Sequence, residues 1–380
     1  MTYYLIAGER SGDLHGGNLI KAIGRYDSQA RFRAWGGEQM EEAGATLVRH
    51  YREMAFMGFL EVVQNLGTIR RNLRDCQQDV LTTRPDVLIL IDYAGFNLRM
   101  ARFAKKHGIR VFYYISPKVW AWNQKRALKI KAVVDQLFVI FPFEVDFYKK
   151  YEYKVDYVGN PLMDAIAGFQ IDPEFRKKNG LSDKPIIALL PGSRHQEVSI
   201  MLPMMMETIP HFPDYQFVVS GVSNLPESLY TESMQGFPTT PVVVDAAYDL
   251  LSVADAALVT SGTATLETAL LNVPEVVCYK MSWVTYQVAS RLIAVPYISL
   301  VNLILRREAV RELKQYELTT ENLVQELTKI LPGGSEHERQ RADYAELREK
   351  VGGPGASDRA GELMVSYLRT NGPSGRPAVN

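Results

Sequence analysis

Two stretches in the second half of this 380-residue chain have the residue types to hold a phosphate. In Leu189-Leu190-Pro191-Gly192-Ser193-Arg194 a glycine backbone and a guanidinium follow an apolar run. An Arg so placed can grip pyrophosphate oxygens through two parallel hydrogen bonds, with Ser193 beside it. Ser261-Gly262-Thr263-Ala264-Thr265-Leu266-Glu267 follows another apolar run and reads as a helix start. Its first amides favour negative charge, and Glu267, one turn further in, is placed to accept from ribose hydroxyls. Each also reads as a surface Arg, or as a capped helix with an ordinary first-turn Glu. Two anion sites on one sheet tip the pair toward binding.

The first half carries three more candidates. Gly8-Glu9-Arg10-Ser11-Gly12-Asp13 follows an apolar strand and has two glycines that let a ligand approach the backbone. It lacks the Gly-x-Gly-x-x-Gly dinucleotide pattern, which argues against a nicotinamide or flavin enzyme. A plain turn with Ser11 or Asp13 capping the helix fits equally well. Asp92 closes the apolar run Val87 to Ile91. A carboxylate there suits a general base, and it also suits a cap for a helix starting near Asn97. Ser116-Pro117-Lys118-Val119-Trp120-Ala121-Trp122, with Gln124, Lys125 and Arg126 behind it, reads either as a stacking platform for a sugar or nucleotide or as packing. There is no Asp-x-Asp pair and no metal-ligand spacing, so neither a metal nor a cofactor is expected. Leaving-group charge would then fall to Arg194 and helix amides.

These residues need a scaffold that presents strand ends, and the chain reads as one. Short apolar runs alternate with helical patterns, the signature of an α/β protein with parallel sheets. The first series of strands is Tyr3 to Ala7, Arg31 to Trp35, Asp86 to Asp92, Arg110 to Ser116, Gln136 to Phe141 and Tyr157 to Val158. The second is Ile186 to Leu190, Gln216 to Gly221, Val242 to Asp245, Ala256 to Thr260 and Val276 to Tyr279. The polar stretch Asp164 to Lys184 between them reads as the linker. A hydrophobic content of 47% over this length calls for two cores. Lys plus Arg and Asp plus Glu balance at 43 each, which speaks against nucleic acid as a partner. Two isolated cysteines, Cys76 and Cys278, suit a reducing compartment. No secretion signal is expected, and no apolar run reaches the roughly 20 residues that span a bilayer. The segment Phe56 to Val63, continuing through Leu66, Ile69 and Leu73 beside Arg70, Arg71 and Arg74, reads as a core helix with a basic edge or as a membrane-surface face.

Taken in order, these motifs resemble the lipid-A-disaccharide synthase family. The matching segments are Ala7 to Asp13, Gly36-Gly37 with Met40, Met57-Gly58-Phe59 with Glu61-Val62, and Tyr114 to Trp122. Phe141-Pro142-Phe143-Glu144, Leu189 to Arg194, Ser261 to Glu267 and Ser299-Leu300-Val301-Asn302 complete the series. The resemblance implies a GT-B glycosyltransferase, with two Rossmann-like domains whose parallel sheets face a central cleft. Residues 1–165 would form the acceptor and membrane-side domain and 180–340 the UDP-sugar domain. Helices in 341–370 would pack back on the first domain, and 371–380 would be a disordered tail. The implied reaction joins UDP-2,3-diacylglucosamine to 2,3-diacylglucosamine 1-phosphate (lipid X), giving a β(1→6) disaccharide and UDP with inversion. The implied place is the cytoplasmic surface of the inner membrane, touched through residues 56–74, with a homodimer as a possible assembly. Asp92 resembles the family's base, Arg194 and Glu267 its nucleotide contacts, and Glu9 and Asn302 its cleft residues. Ser11, Gly12, Ser193, Ser261, Gly262 and Thr263 complete the expected substrate-binding set. The chain departs from the family pattern at Ala94, Gly95, Asn123, Asn160 and Val301, which leaves acyl-chain and acceptor details open. A UDP-N-acetylglucosamine epimerase, a transferase for peptidoglycan precursors and a non-catalytic nucleotide-sugar binder are the competing readings.

Overall fold

Every residue of Val87–Ile91 is buried, as a strand covered by helices on both faces must be. The computed structural model describes residues 1–53, 66–122, 124–281 and 295–370. It divides into two compact units, Met1–Asp164 with Gly353–Asn380, and Ala165–Gly352.

Among the described residues, the first unit holds β1 (Thr2–Ala7), β2 (Arg31–Gly36), β3 (Ala45–His50), β4 (Val87–Ile91), β5 (Arg110–Tyr114), β6 (Gln136–Val139) and β7 (Asp156–Tyr157). The sheet runs β3-β2-β1-β4-β5-β6-β7, and every pairing is parallel. The chain leaves β1 toward one edge and returns to place β4 on its other side. That reversal opens a crevice beyond the ends of β1 and β4, where ligands bind in such sheets. Gly8 and Asp92 are the residues that follow those two strands.

The helix Arg10–Tyr26 buries Leu19, Ala22 and Ile23 at helical spacing. The terminal helix Ala356–Thr370 lies against it. A Cβ on Gly361 would come within 2.9 Å of the Ala22 side chain and 3.0 Å of the Ile23 nitrogen, so only glycine permits this approach. Arg25 pairs with Asp358 at 2.6 Å, and Arg369 donates to the Tyr26 carbonyl at 2.6 Å. The Asp164 carboxylate accepts from the backbone amides of Gly355, Ala356 (3.3 Å) and Ser357 (3.2 Å), capping the terminal helix where the chain re-enters this unit. Arg359 answers by donating to the carbonyls of Val158 (2.8 Å) and Pro354 (2.9 Å).

The second unit holds β8 (Ile186–Leu190), β9 (Gln216–Gly221), β10 (Val242–Val244), β11 (Ala256–Thr260), β12 (Glu275–Tyr279) and β13 (Arg311–Lys314). Its parallel order is β10-β9-β8-β11-β12-β13, with the same kind of reversal between β8 and β11. Alternation along β8 divides its core: Ile187 and Leu189 enter one apolar cluster, and Ile186, Ala188 and Leu190 the other.

Two elements of the fold differ from the sequence reading. The strands β3 and β13 escaped it. β13 spells Arg-Glu-Leu-Lys and carries no apolar run, yet Glu312 is 2% exposed because its carboxylate accepts from the amides of Ile298 and Ser299. The helix Ala356–Thr370 is part of the first unit. The helix His337–Val351 belongs to the second unit. Tyr344, Leu347 and Val351 are buried there, Gln340 exchanges hydrogen bonds with the Glu275 backbone (2.9 and 3.2 Å), and Arg348 donates to the Leu270 carbonyl. Finally, residues 54–65 and 371–380 lie outside the described residues, and with them most of the apolar segment and the tail. Among the described residues, no helix is long and apolar enough to cross a membrane.

Candidate active site

At the end of β4 the backbone turns left-handed at two successive non-glycine residues, Asp92 (φ 44°) and Tyr93 (φ 46°). That conformation costs an L-residue on the order of 1–2 kcal/mol, somewhat less for Asp. The surroundings hold the turn in place. The Asp92 amide donates to the Tyr114 carbonyl at 3.3 Å. Its carbonyl accepts from the Asn97 side-chain amide at 2.8 Å and from the Tyr113 hydroxyl. Asn97 is fully buried and also donates to the Ile91 carbonyl at 3.1 Å. Asp92 is not the helix cap: Tyr93 takes that position before Ala94–Lys106, and no side-chain cap bond is made.

Tyr93 explains Gly8. A Cβ there would lie 2.4 Å from the Tyr93 ring. The ring stacks on Phe96 at 5.8 Å, which stacks on Trp35 at 6.1 Å. Burial raises the Tyr93 phenol pKa, the negative charge of Glu9 raises it further, and Arg99 pulls it down. Glu9 therefore acts in the same field as Tyr93. It takes the cap position of Arg10–Tyr26 in extended conformation without a side-chain cap bond. Ser11 is exposed, and Gly12 packs where a Cβ would meet the Ala7 side chain at 3.1 Å. Asp13 does not cap its own helix. It is buried and accepts from the amides of Gly37 (2.7 Å), Gln39 (3.0 Å) and Met40 (3.2 Å), fixing the start of Glu38–Glu42.

The tryptophan segment resolves as packing at Trp120, which is buried edge-on to Phe143 at 4.9 Å. Trp122's side chain and Asn123 lie outside the described residues. Beneath Trp120 lies Glu144, whose carboxylate accepts from the amides of Ile140 (3.2 Å) and Phe141 (3.0 Å). Burial pushes this carboxyl up to about 7, against the lowering effect of those two amides and of the Ser116 and Trp120 side chains.

In the second unit Gly192 has φ +110°, and a Cβ there would fall 2.5 Å from Oε2 of Glu197. That carboxylate accepts from the Ser193 amide at 3.1 Å and from Nη1 of Arg194 at 3.0 Å. Arg194 caps His195–Met206 by position, and its side chain is 57% exposed. Across the β8/β11 reversal, the Ser261 amide donates to the Cys278 carbonyl and its hydroxyl to the Ile298 carbonyl, both at 3.0 Å. Gly262 takes the cap position of Thr263–Leu270, with Thr263 exposed at the first turn. Glu267 accepts from the Tyr248 hydroxyl at 2.9 Å; burial raises its pKa, and that bond opposes the rise.

Asn302 is placed differently from the expectation of a ligand contact. It is fully buried, and its amide is used up inside the unit. The nitrogen donates to the Val310 carbonyl (2.8 Å) and Glu312 (2.9 Å), while the oxygen accepts from the amides of Ala309 (2.8 Å) and Val310 (3.0 Å). Its work is to fold the turn into β13.

Sequence reasoning missed Tyr93, Tyr113, Asn97, Tyr248 and Glu197 as site residues. Only Glu197 carried a local signal: an acid three residues after the cap position is a capping-box spacing. The others come from neighbouring strands and helices. Among the described residues, no group of three His, Cys, Asp or Glu side chains is placed to hold a metal ion.

The fold superposes on solved structures over nearly its whole length. A UDP-N-acetylglucosamine 2-epimerase from Neisseria meningitidis, bound to UDP-GlcNAc, superposes with a TM-score of 0.66 at 14% identity, covering 98% of this chain and all of that one. The calicheamicin glycosyltransferase superposes with a TM-score of 0.60, also at 14% identity, over 98% of this chain and 99% of that one. These likenesses show the two-sheet α/β fold of GT-B proteins. At the level of sequence, lipid-A-disaccharide synthase from Geobacter sulfurreducens is 37% identical over 96% of each chain. Lipid-A-disaccharide synthase 1 from Legionella pneumophila is 35% identical over 96% of this chain and 97% of its own. The family model described as lipid-A-disaccharide synthetase matches residues 3–365, so this chain belongs to that family.

Proposed function

We propose that this chain transfers the diacylglucosaminyl group of UDP-2,3-diacylglucosamine to the 6-hydroxyl of 2,3-diacylglucosamine 1-phosphate, forming the β(1→6) lipid A disaccharide and UDP. Family membership supports the substrate class. The observation that carries the chemistry is the left-handed turn at Asp92, a strained carboxylate-bearing residue at a switch point. In this reading Asp92 accepts the 6-hydroxyl proton as that oxygen bonds the anomeric carbon and the bond to UDP breaks on the opposite face. Arg194 and the amides opening Thr263–Leu270 take up the charge on the departing pyrophosphate, and Glu267 holds the ribose. Glu9, Ser11 and Gly12 line the acceptor side, with Ser193, Ser261 and Gly262 on the nucleotide side; Asn302 supports the nucleotide side from within.

The reading also places the enzyme on an anionic membrane surface. The helices Leu66–Thr83, Ala94–Lys106 and Arg126–Val133 pack side by side. They expose Arg70, Arg71, Arg74, Arg99, Arg102, Lys106, Lys129 and Lys131. Their acids, Asp75 and Asp79, are paired with Arg49 and Arg33. Such a cationic face in a chain of zero net charge suits acidic lipid headgroups. The test of the activity is a two-substrate assay with purified protein. Disaccharide is expected only when both sugars are present, and release of UDP without the acceptor, or none with it, refutes the transfer.

A further inference from the structure

A pyrophosphate oxygen bound at the end of β8 would need what that loop offers, a backbone N–H and a guanidinium. Both are already taken by one carboxylate. Oε2 of Glu197 accepts from the Ser193 amide at 3.1 Å, and Oε1 accepts from Arg194 Nη1 at 3.0 Å. The space for this is made by Gly192, where any Cβ would strike Glu197 at 2.5 to 2.7 Å. The same pair acts on Tyr279, the last residue of β12. Burial raises that phenol pKa, Glu197 adds to the rise, and Arg194 opposes it. The pair therefore lies at the ligand-facing ends of the strands and not on a remote helix surface.

We infer that Glu197 is a resident anion in the phosphate seat, which UDP must displace from Ser193 and Arg194 and which hastens the departure of UDP. The inference rests on the proposal above that Arg194 holds the nucleotide. Arg194 is 57% exposed and Glu197 29%, so the guanidinium can turn away to a ligand without unpacking the unit. Exposed pairs at this spacing add little to folding. A capping acid alone would satisfy the Ser193 amide, and a neutral amide oxygen would do so equally well. What only the carboxylate supplies is negative charge within reach of a second anion. It keeps the loop folded when the seat is empty and opposes the retention of product when it is full.

The experiment compares the parent, E197Q, E197D and R194A, using UDP as the probe. Glutamine keeps an acceptor for Ser193 and removes the charge. E197Q is expected to bind UDP about tenfold more tightly by calorimetry, as expected for removing one nearby like charge at partial exposure. The UDP inhibition constant should fall in proportion, and the melting temperature should stay near the parent's. E197D keeps the charge and is expected to stay near the parent in UDP affinity. Unchanged or weaker UDP binding by E197Q overturns the inference. A crystal structure of the parent with UDP gives a second reading independent of any variant: the Ser193 amide should have left Glu197 for phosphate, and retention of the Glu197 bond sinks the idea. R194A separates the two levels of argument. If it binds UDP like the parent, the nucleotide assignment itself fails, whatever Glu197 does.

Discussion

Asp92 and Arg194 each follow a strand that flanks the reversal of its own sheet, β4 and β8, yet they are held in opposite ways. Asp92 is fixed through its backbone: two left-handed residues, an amide bonded to Tyr114 and a carbonyl taken by Asn97 and Tyr113. The Arg194 carbonyl opens the helix by accepting from the Val198 amide at 3.0 Å, but its side chain is held at the tip by one carboxylate and is more than half exposed. The difference matches what the two proposed roles demand. Proton abstraction needs an oxygen in one place before the acceptor arrives, because misplacement of about an ångström can cost a hundredfold. A phosphate grip must close on the donor and open again for UDP.

The largest expected effect breaks the comparison at its rigid end. Replacing Asp92 by Asn should lower kcat by about a thousandfold, within the range that a general base contributes, and leave UDP affinity unchanged by calorimetry. Near-normal turnover would remove Asp92 from the mechanism. Asp92→Gly should lose turnover similarly, yet raise stability to urea by about 1 kcal/mol, since glycine adopts a positive φ without strain. That combination would identify the strain as a cost of function. A loss of stability would mean that the Asp92 side chain also supports the fold.

Next come the supports. Asn97→Ala removes a buried donor to the Asp92 and Ile91 carbonyls and should destabilise by about 1–3 kcal/mol. Its kcat should drop tenfold or more with little change in KM for the nucleotide sugar. At the adaptable end the split reverses. Arg194→Ala should weaken UDP binding by roughly ten- to a hundredfold, the worth of a charge-assisted bond, while its melting temperature stays close to the parent's. If Arg194→Ala instead melted early, the tip-held picture of this residue would be wrong.

Much of this was legible in the chain. Apolar runs gave the strands of both sheets except β3 and β13, because runs such as Val87–Ile91 must be covered on both faces. β13 was hidden because Leu313 is its lone apolar residue and Glu312 is buried beside it, made tolerable by the amides of Ile298 and Ser299. The same limit applies at the site. Asp92 and Arg194 stand out as polar residues ending apolar runs, but what holds them does not. Tyr113 comes from the adjacent strand, and the space for its neighbour Tyr93 comes from Gly8, more than eighty residues away. Asn302 shows the converse: a family motif residue reads as a ligand contact until its four hydrogen bonds are counted.

The smallest effect tests how tightly the unit around Asp92 is packed, through two buried titratable groups with opposite demands. Glu144 has its carboxyl raised to about 7 by burial. Between the ordinary carboxyl range and pH 7 the folded chain keeps a proton that the unfolded chain has shed, so this group's contribution is full in acid and is lost as pH rises through 7. His15, with Nδ1 buried and no hydrogen-bond partner for it, is lowered to about 4 by burial, with Asp164 opposing. It stays neutral where the unfolded imidazole takes up a proton, so its contribution is full above the ordinary histidine range and is lost as pH falls through 4. From about pH 4.5 to 6.5 the two slopes oppose each other, each at most about 1.4 kcal/mol per pH unit. Glu144→Gln should therefore leave His15 unopposed, so that urea stability falls more steeply than the parent's as the buffer is taken from pH 6.5 to 4.5. His15→Gln should tilt the profile the other way, with stability declining from pH 4.5 upward. Parallel profiles for parent and Glu144→Gln would mean that burial does not raise the Glu144 carboxyl and that water reaches it beneath Trp120.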